Sequence, residues 1–295
     1  MTEATIRLVD VTKSFGQKQI LYRISATVTR GTVVGLLARN GQGKTTLFKI
    51  LADLLQADRG EISVLGVSAD GSGAIRKKVG YIPEHPSFHN FMTVRQVLQL
   101  RSGFYRNWDW TKVYKLCANI DLDLNSKMLQ ASKGTLCKTA WVCASAHNPE
   151  ILLLDEPTSG LDPVSRDSVL HSLVGELTHQ DMTVVVANHH MEELIGILDE
   201  VWVLSEGTFK HRLSMEEFRR SSFRITGRLR KPLQSLPVGV YEEGRDGDWV
   251  RWFTFNSEIV PVVQKSNALE RMQCEPLPIK DAIKSLLLTF GAENE

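Results

Sequence analysis

Two short stretches of this 295-residue chain hold residue types at spacings suited to phosphate chemistry. The first is "GLLARNGQGKTTLF", residues 35–48, where an apolar run gives way to a helical pattern. In that context backbone N–H groups and a helix N-terminus hold anionic oxygens. Gly41 and Gly43 let the backbone wrap phosphate oxygens without a Cβ in the way. Lys44 is placed to reach the β and γ phosphates, the Thr45 hydroxyl to ligate Mg²⁺, and Thr46 to approach the α phosphate. Arg39, Asn40 and Gln42 complete the loop. The pattern G-x-x-x-x-G-K-[ST] asks for glycine where this chain has Ala38. A methyl there costs little if φ is negative and ~1–2 kcal/mol if φ is positive. The phosphate-binding groups lie downstream of Ala38, so the site is expected to work in either case.

The second stretch is "ILLLDEPTSGLDP", residues 151–163. An apolar strand ending in two acids puts Asp155 where it can hold Mg²⁺ and Glu156 where it can polarise an attacking water. Together the two stretches imply binding of a nucleoside triphosphate, with ATP and Mg²⁺ as the expected ligands.

Such groups need a rigid scaffold, and the rest of the chain supplies its signature. The runs "TVVGLLA", "VGYIPE", "EILLLDE", "TVVVAN" and "EVWVLSEG" alternate with helical periodicity, which argues an α/β fold with a mostly parallel sheet covered on both faces. "IRLVDVTKSFG" alternates instead, as a half-exposed antiparallel strand would. Composition shifts after Gly207, where residues 210–231 carry eight Lys/Arg against two Glu. The boundary is placed there, giving domains of 1–208 and 209–295. In the second, "VGVYEE" and "DWVRWFTF" flank the turn "GRDG" as a hairpin. A helix from Ser257, a short strand near 274–277 and a helix from Pro278 complete a small α+β domain.

A net charge of +1 gives no global attraction to nucleic acid or membrane. Four cysteines form no CxxC pair and no secretory leader is evident, so reduced cytosolic thiols are expected. Apolar runs stay far below the ~18 residues of a membrane span.

These motifs, in this order over residues 6–207, resemble the ATP-binding subunits of ABC transporters. The resemblance implies a P-loop NTPase with an antiparallel β subdomain and a helical insert at about 86–145. It implies that Phe15 in "TKSFG" stacks on adenine. Glu84 in "VGYIPEHP" takes the place of the family's glutamine as a Mg²⁺ ligand, as the "YLPE" of related exporters does. "ASKGT" stands for the signature motif, with Ser132, Lys133 and Gly134 contacting the γ phosphate held by the opposite subunit. "SGLD", residues Ser159, Gly160, Leu161 and Asp162, matches the loop at the dimer interface, and His189 matches the switch histidine at the γ phosphate. One phosphate loop and one signature per chain imply a second ATPase subunit. "FYRNWDW" in the insert resembles exporters whose transmembrane permease is a separate chain, which places this subunit peripherally on the cytoplasmic face of the membrane. Two rival readings stay open. One is a soluble ABC ATPase acting on nucleic acid or ribosomes, against which stand the single ATPase domain and the lack of a long coiled coil. The other is a degenerate partner that binds ATP without hydrolysing it, against which stand Lys44, Asp155, Glu156 and His189. No nucleic-acid partner is expected.

Overall fold

A computed structural model describes residues 4–179, 181–188, 191–233, 235–286 and 289. The alternating N-terminal segment forms β1 (Ala4–Phe15), which pairs antiparallel with β2 (Lys18–Thr29) and β4 (Arg59–Val64). With β5 (Val67–Ser68) these make a four-stranded sheet in the order β2-β1-β4-β5. Its buried face, including Ile6, Leu8, Leu21 and Ile24, packs toward a second sheet.

That second sheet has six strands in the order β10-β9-β3-β8-β7-β6. They are β3 (Val33–Ala38), β6 (Val79–Ile82), β7 (Ile151–Asp155), β8 (Thr183–Ala187), β9 (Glu200–Ser205) and β10 (Thr208–Ser214). All neighbours are parallel except β10, which runs antiparallel to β9. Every residue of β3, β7 and β8 is buried, as continuous apolar runs in a two-sided sheet require. Helix α1 (Lys44–Leu51) shares one core with the antiparallel sheet through Leu47, Phe48 and Ile50.

The opposite face carries α2 (Val94–Ser102), α3 (Trp110–Asn119), α4 (Lys133–Ser145) and α5 (Pro163–His179). Thr93 caps α2 in a capping box: its hydroxyl accepts from Gln96 N at 3.3 Å and its N–H donates to Gln96 Oε1 at 2.9 Å. Asp109 caps α3 and Ser132 caps α4. The buried Trp141 Nε1 donates to Ser172 Oγ at 3.0 Å, which ties α4 to α5.

The C-terminal part holds α6 (Met215–Ser221), then β11 (Phe223–Leu229), β12 (Val240–Asp246), β13 (Trp249–Thr254), α7 (Ile259–Ser266), β14 (Leu269–Pro276) and α8 (Ile279–Leu286). The expected hairpin is β12–β13, in a sheet ordered β12-β13-β11-β14. The sequence reading differs in several details: residues 244–246, expected in the hairpin turn, continue β12, and α6 and β11 are not foreseen. The last strand starts at Leu269, well before 274; it lies at the sheet edge and is mostly exposed, so no apolar alternation marks it. Residues 208–214, assigned by composition largely to the second domain, are an edge strand of the main sheet. Phe218, Phe253, Phe255, Leu277, Ile283 and Leu286 then join the core cluster of α2–α5, so the two parts share apolar packing.

Candidate nucleotide site

The phosphate loop leaves β3 and enters α1 as the motif requires. Gly41 and Gly43 hold φ of 76° and 101°, with Gly43 as the left-handed N-cap of α1. A side chain at Gly43 would meet Leu21 at 2.8 Å, so glycine is needed there both for conformation and for space. Ala38 is the last residue of β3, buried, and is not among the residues with positive φ. Its methyl therefore carries no backbone strain. Arg39, Asn40 and Gln42 sit in the loop itself, with Gln42 Oε1 accepting from Glu206 N in the β9–β10 turn. Thr46 lies half-buried in the first turn of α1.

The two stretches meet. Lys44 Nζ donates to Ala38 O at 3.1 Å and to Glu156 Oε1 at 3.3 Å, with both side chains nearly inaccessible. Thr45 Oγ1 donates to Asp155 Oδ2 at 2.6 Å. Asp155 is fully buried and, among the described residues, its Oδ1 has no hydrogen-bond partner. Burial holds the Asp155 carboxyl above its usual range, with Glu84 and Glu156 adding to the rise, while the Thr45 hydroxyl and Lys44 oppose it. Glu156 has φ of 53°, in the left-handed region that costs a non-glycine residue ~1–2 kcal/mol. It is held there by its N–H, which donates to Ala187 O at 2.9 Å, and by Ser159 N, which donates to its carbonyl at 3.0 Å. Asn188, at the end of β8, donates to the buried Thr158 hydroxyl at 3.3 Å and closes this turn from the other side.

Glu84 follows β6, half-buried, close enough to act on Asp155. Sequence reasoning passed over its neighbour Tyr81. That hydroxyl is buried without a partner among the described residues, and burial, Asp155 and Glu84 all disfavour its ionisation. The signal was present in "VGYIPE", a polar tip inside an otherwise apolar strand. Phe15 ends β1 half-exposed, with Lys13 Nζ 5.5 Å from its ring centroid.

The residues expected to form the signature motif lie elsewhere on the chain. Ser132, Lys133 and Gly134 line a cleft of about 410 Å³ together with Gly160, Asp162 and Ser165. Ser132 Oγ accepts from Thr135 N at 3.1 Å, and Asp162 Oδ1 accepts from Ser165 N at 3.0 Å to cap α5. Leu161 is buried beneath, while Ser159 and Gly160 are exposed. No residue of the phosphate loop lines this cleft. His189 lies outside the described residues.

The chain matches the family model described as ABC transporter over residues 21–159. It is 32% identical over 224 residues to an uncharacterized ABC transporter ATP-binding protein of Methanocaldococcus jannaschii, covering 73% of this chain and 79% of that one. It is 30% identical over 214 residues to the Nod factor export ATP-binding protein I of Rhizobium etli, covering 70% and 67%. A solved structure of the ATP-binding subunit of an ABC transporter superposes with a TM-score of 0.67 at 26% identity, covering 73% of this chain and 92% of the other. With the phosphate loop, the paired acids and the sheet that joins them, this chain belongs to the family of ABC transporter ATP-binding proteins.

Proposed function

We propose that this chain hydrolyses ATP to drive transport, in the export direction, through a separate membrane permease, and that it does so as an ATP-sandwich dimer. The observation that carries the reading is the buried junction of Lys44 with Glu156 and of Thr45 with Asp155, which brings a phosphate loop and two acids 110 and 112 residues away into one site. Lys44 and the loop N–H groups hold the phosphates, and Phe15 offers a ring to the base. Glu156 orients a water and takes its proton as the water oxygen bonds to the γ phosphorus; the bond from that phosphorus to the bridging oxygen breaks, leaving ADP and phosphate. His189 assists at the γ phosphate.

The donor set fits Mg²⁺: hard oxygens of Thr45, Asp155 and Glu84, with one Asp155 oxygen buried and unpartnered. When bound there the ion offsets phosphate charge. The cleft at Ser132, Lys133 and Gly134 would serve the nucleotide of a second subunit, with residues 159–162 at the same interface. The insert offers the permease a groove of about 320 Å³ lined by Phe88, Met92, Leu100 and Phe104, with Phe91 and Phe104 largely exposed. Trp108 and Trp110 pack against the core instead. No helix among the described residues is long and apolar enough to cross a membrane, which suits a peripheral subunit on the cytoplasmic face. We place the start of the C-terminal domain at Met215, after the last strand of the main sheet.

The basic cluster of residues 210–231 lends the nucleic-acid reading little support. Within the basic cluster, Lys210, Arg220, Arg224, Arg228 and Arg230 each face a carboxylate within 4.0 Å, and Arg212 lies over Trp202. Lone surface pairs contribute little stability, but they reduce the positive field open to phosphate backbones. Light scattering of Glu156→Gln with and without ATP tests the sandwich: an ATP-dependent doubling of mass is expected, and a monomer under saturating ATP would refute it.

A further inference from the structure

The turn between β9 and β10 is short and firmly held. Ser205 pairs with Thr208, so Glu206 and Gly207 make the whole turn, and both hold positive φ, 51° and 71°, as a type I′ turn requires. Glycine is needed at 207 on two counts: the left-handed backbone, and the carbonyl oxygen of Ile20, which a side chain would meet at 2.6 Å. Gly207 O in turn accepts from Tyr22 N at 2.8 Å. The turn is thereby fastened to β2, whose Lys18 pairs with Phe15 at the tip of the β1–β2 hairpin.

The other side of the turn faces the phosphate loop. The first residue of a two-residue hairpin turn has no ladder partner for its N–H. Here Glu206 donates that N–H to Oε1 of Gln42, 164 residues earlier in the chain. Gln42 stands between the two loop glycines, half-buried, and α1 begins directly after them. Gly43 also packs toward β2, since a side chain there would meet Ile20 Cγ2 at 3.0 Å. Ile20 thus touches both the turn and the loop, and the Gln42 amide closes the triangle. The phosphate-loop pattern leaves the residue between its last two glycines unspecified, so an amide at 42 is not needed to bind phosphate.

One nucleotide engages two separate pieces of the chain: its phosphates the loop, its base the hairpin that carries Phe15. A contact that fixes the spacing of those pieces favours a ligand that spans both and does nothing for one that binds at a single end. Packing of Gly43 on Ile20 limits how closely the pieces approach. The directional bond from Glu206 to Gln42 opposes their separation.

We propose that Gln42 is a positioning residue for nucleotide recognition: through the Glu206 N–H it sets the spacing between the phosphate loop and the Phe15 hairpin, and so makes the site selective for a ligand that offers a base and phosphates together. This rests on the reading of the loop and Phe15 as the two ends of the nucleotide site.

The test measures binding of ADP with Mg²⁺ to the full chain by calorimetry. Gln42→Met keeps the length of the side chain and removes the acceptor. Loss of one exposed hydrogen bond that holds the binding geometry should weaken ADP roughly fivefold. Replacing Glu206 by its α-hydroxy analogue turns the donating N–H into an ester oxygen. It should give the same loss, and the two changes together should give no more. In a Phe15→Ala background, where the base no longer bridges the two pieces, neither change should weaken ADP further. Equal loss from Gln42→Met with and without Phe15 would mean that the amide serves the loop alone. That result, a loss that the ester does not reproduce, or unchanged affinity in Gln42→Met overturns the proposal and leaves the nucleotide site standing. Phe15→Ala binding ADP as tightly as the native chain removes the base platform and the proposal with it, leaving the phosphate site. A native chain that does not bind ADP overturns both the proposal and the nucleotide-site reading.

Discussion

Glu156→Gln separates the electrostatic role of the carboxylate from its chemical one, because among the described residues Lys44 has two hydrogen-bond partners. The ammonium donates to Ala38 O and to Glu156 Oε1, with side chains 8% and 3% exposed. Removing one member of a buried charge pair costs ~3–5 kcal/mol. Glutamine keeps an oxygen acceptor in the same place, so about half of that, ~2 kcal/mol, is expected. The left-handed φ of 53° is equally unfavourable for both residues and drops out of the difference. For a chain of this length ~1 kcal/mol corresponds to ~2 °C, so the nucleotide-free variant should melt roughly 4 °C lower.

Nucleotide changes the comparison. Phosphate oxygens take over as counter-charge for Lys44, so under saturating ATP with EDTA, which prevents turnover, the deficit should shrink to ~1 °C or less. With Mg²⁺ present, turnover should fall by ~10²–10⁴, the usual contribution of a positioned general base. Thermal unfolding with and without ATP, together with a phosphate-release assay, reads both effects. A deficit of the same size with and without ATP would refute the exchange of partners at Lys44. Wild-type turnover would refute Glu156 as the base.

Asp155→Asn should raise the nucleotide-free melting temperature by roughly 2 °C, because it removes a charge whose oxygen is buried and unpaired, while cutting Mg²⁺-dependent hydrolysis at least ~100-fold. A lower melting temperature would show that the charge is not penalised. Ala38→Gly should leave turnover within about twofold and cost ~0.5–1 kcal/mol in melting, since the native φ is not positive and glycine weakens a strand; a several-fold gain in activity would mean that the alanine impairs the loop. His147, pushed down to about 4 chiefly by burial, is neutral when folded, so the unfolded chain binds more protons between pH 6.5 and 4. Stability attributable to it is intact above pH 6.5 and falls by up to roughly 3 kcal/mol as pH drops through 4, at ~1.36 kcal/mol per pH unit. His147→Phe should flatten that slope in urea titrations across the range, and an unaltered slope would place the acid sensitivity elsewhere.

The nucleotide site was legible wherever a segment encodes its own backbone. Gly41 and Gly43 announce their positive φ, and "ILLLDE" announces a buried strand ending in acids. What could not be read is what the topology joins. That Lys44 meets Glu156 depends on β3 and β7 both flanking β8, and nothing within either segment states that order. The left-handed Glu156 is likewise invisible, because its conformation is imposed by Ala187 and not by its own residue type. Glu206 comes from a separate segment and fits no motif, so its contact with Gln42 appears only in three dimensions.

The C-terminal part shows the same limit of composition. The basic run suggested a boundary at 208/209, yet Thr208–Ser214 hydrogen-bonds along β9, the strand next to β3, which leads into the phosphate loop. A truncation at 209 would strip an edge strand from the nucleotide-binding sheet, and any loss of activity would report damage to that sheet. Beyond it, α8 packs on Met191–Glu193, the turn that directly follows residues 189–190, and Met191 lies against Gly35 of β3. Ile283 and Leu286 of α8 belong to the same core cluster as Met191 and Leu194. Met191–Glu193 is therefore bounded on one side by β3 and on the other by α8. Single substitutions on α8, which leave both sheets whole, are the changes whose effect on hydrolysis can be attributed to the C-terminal domain.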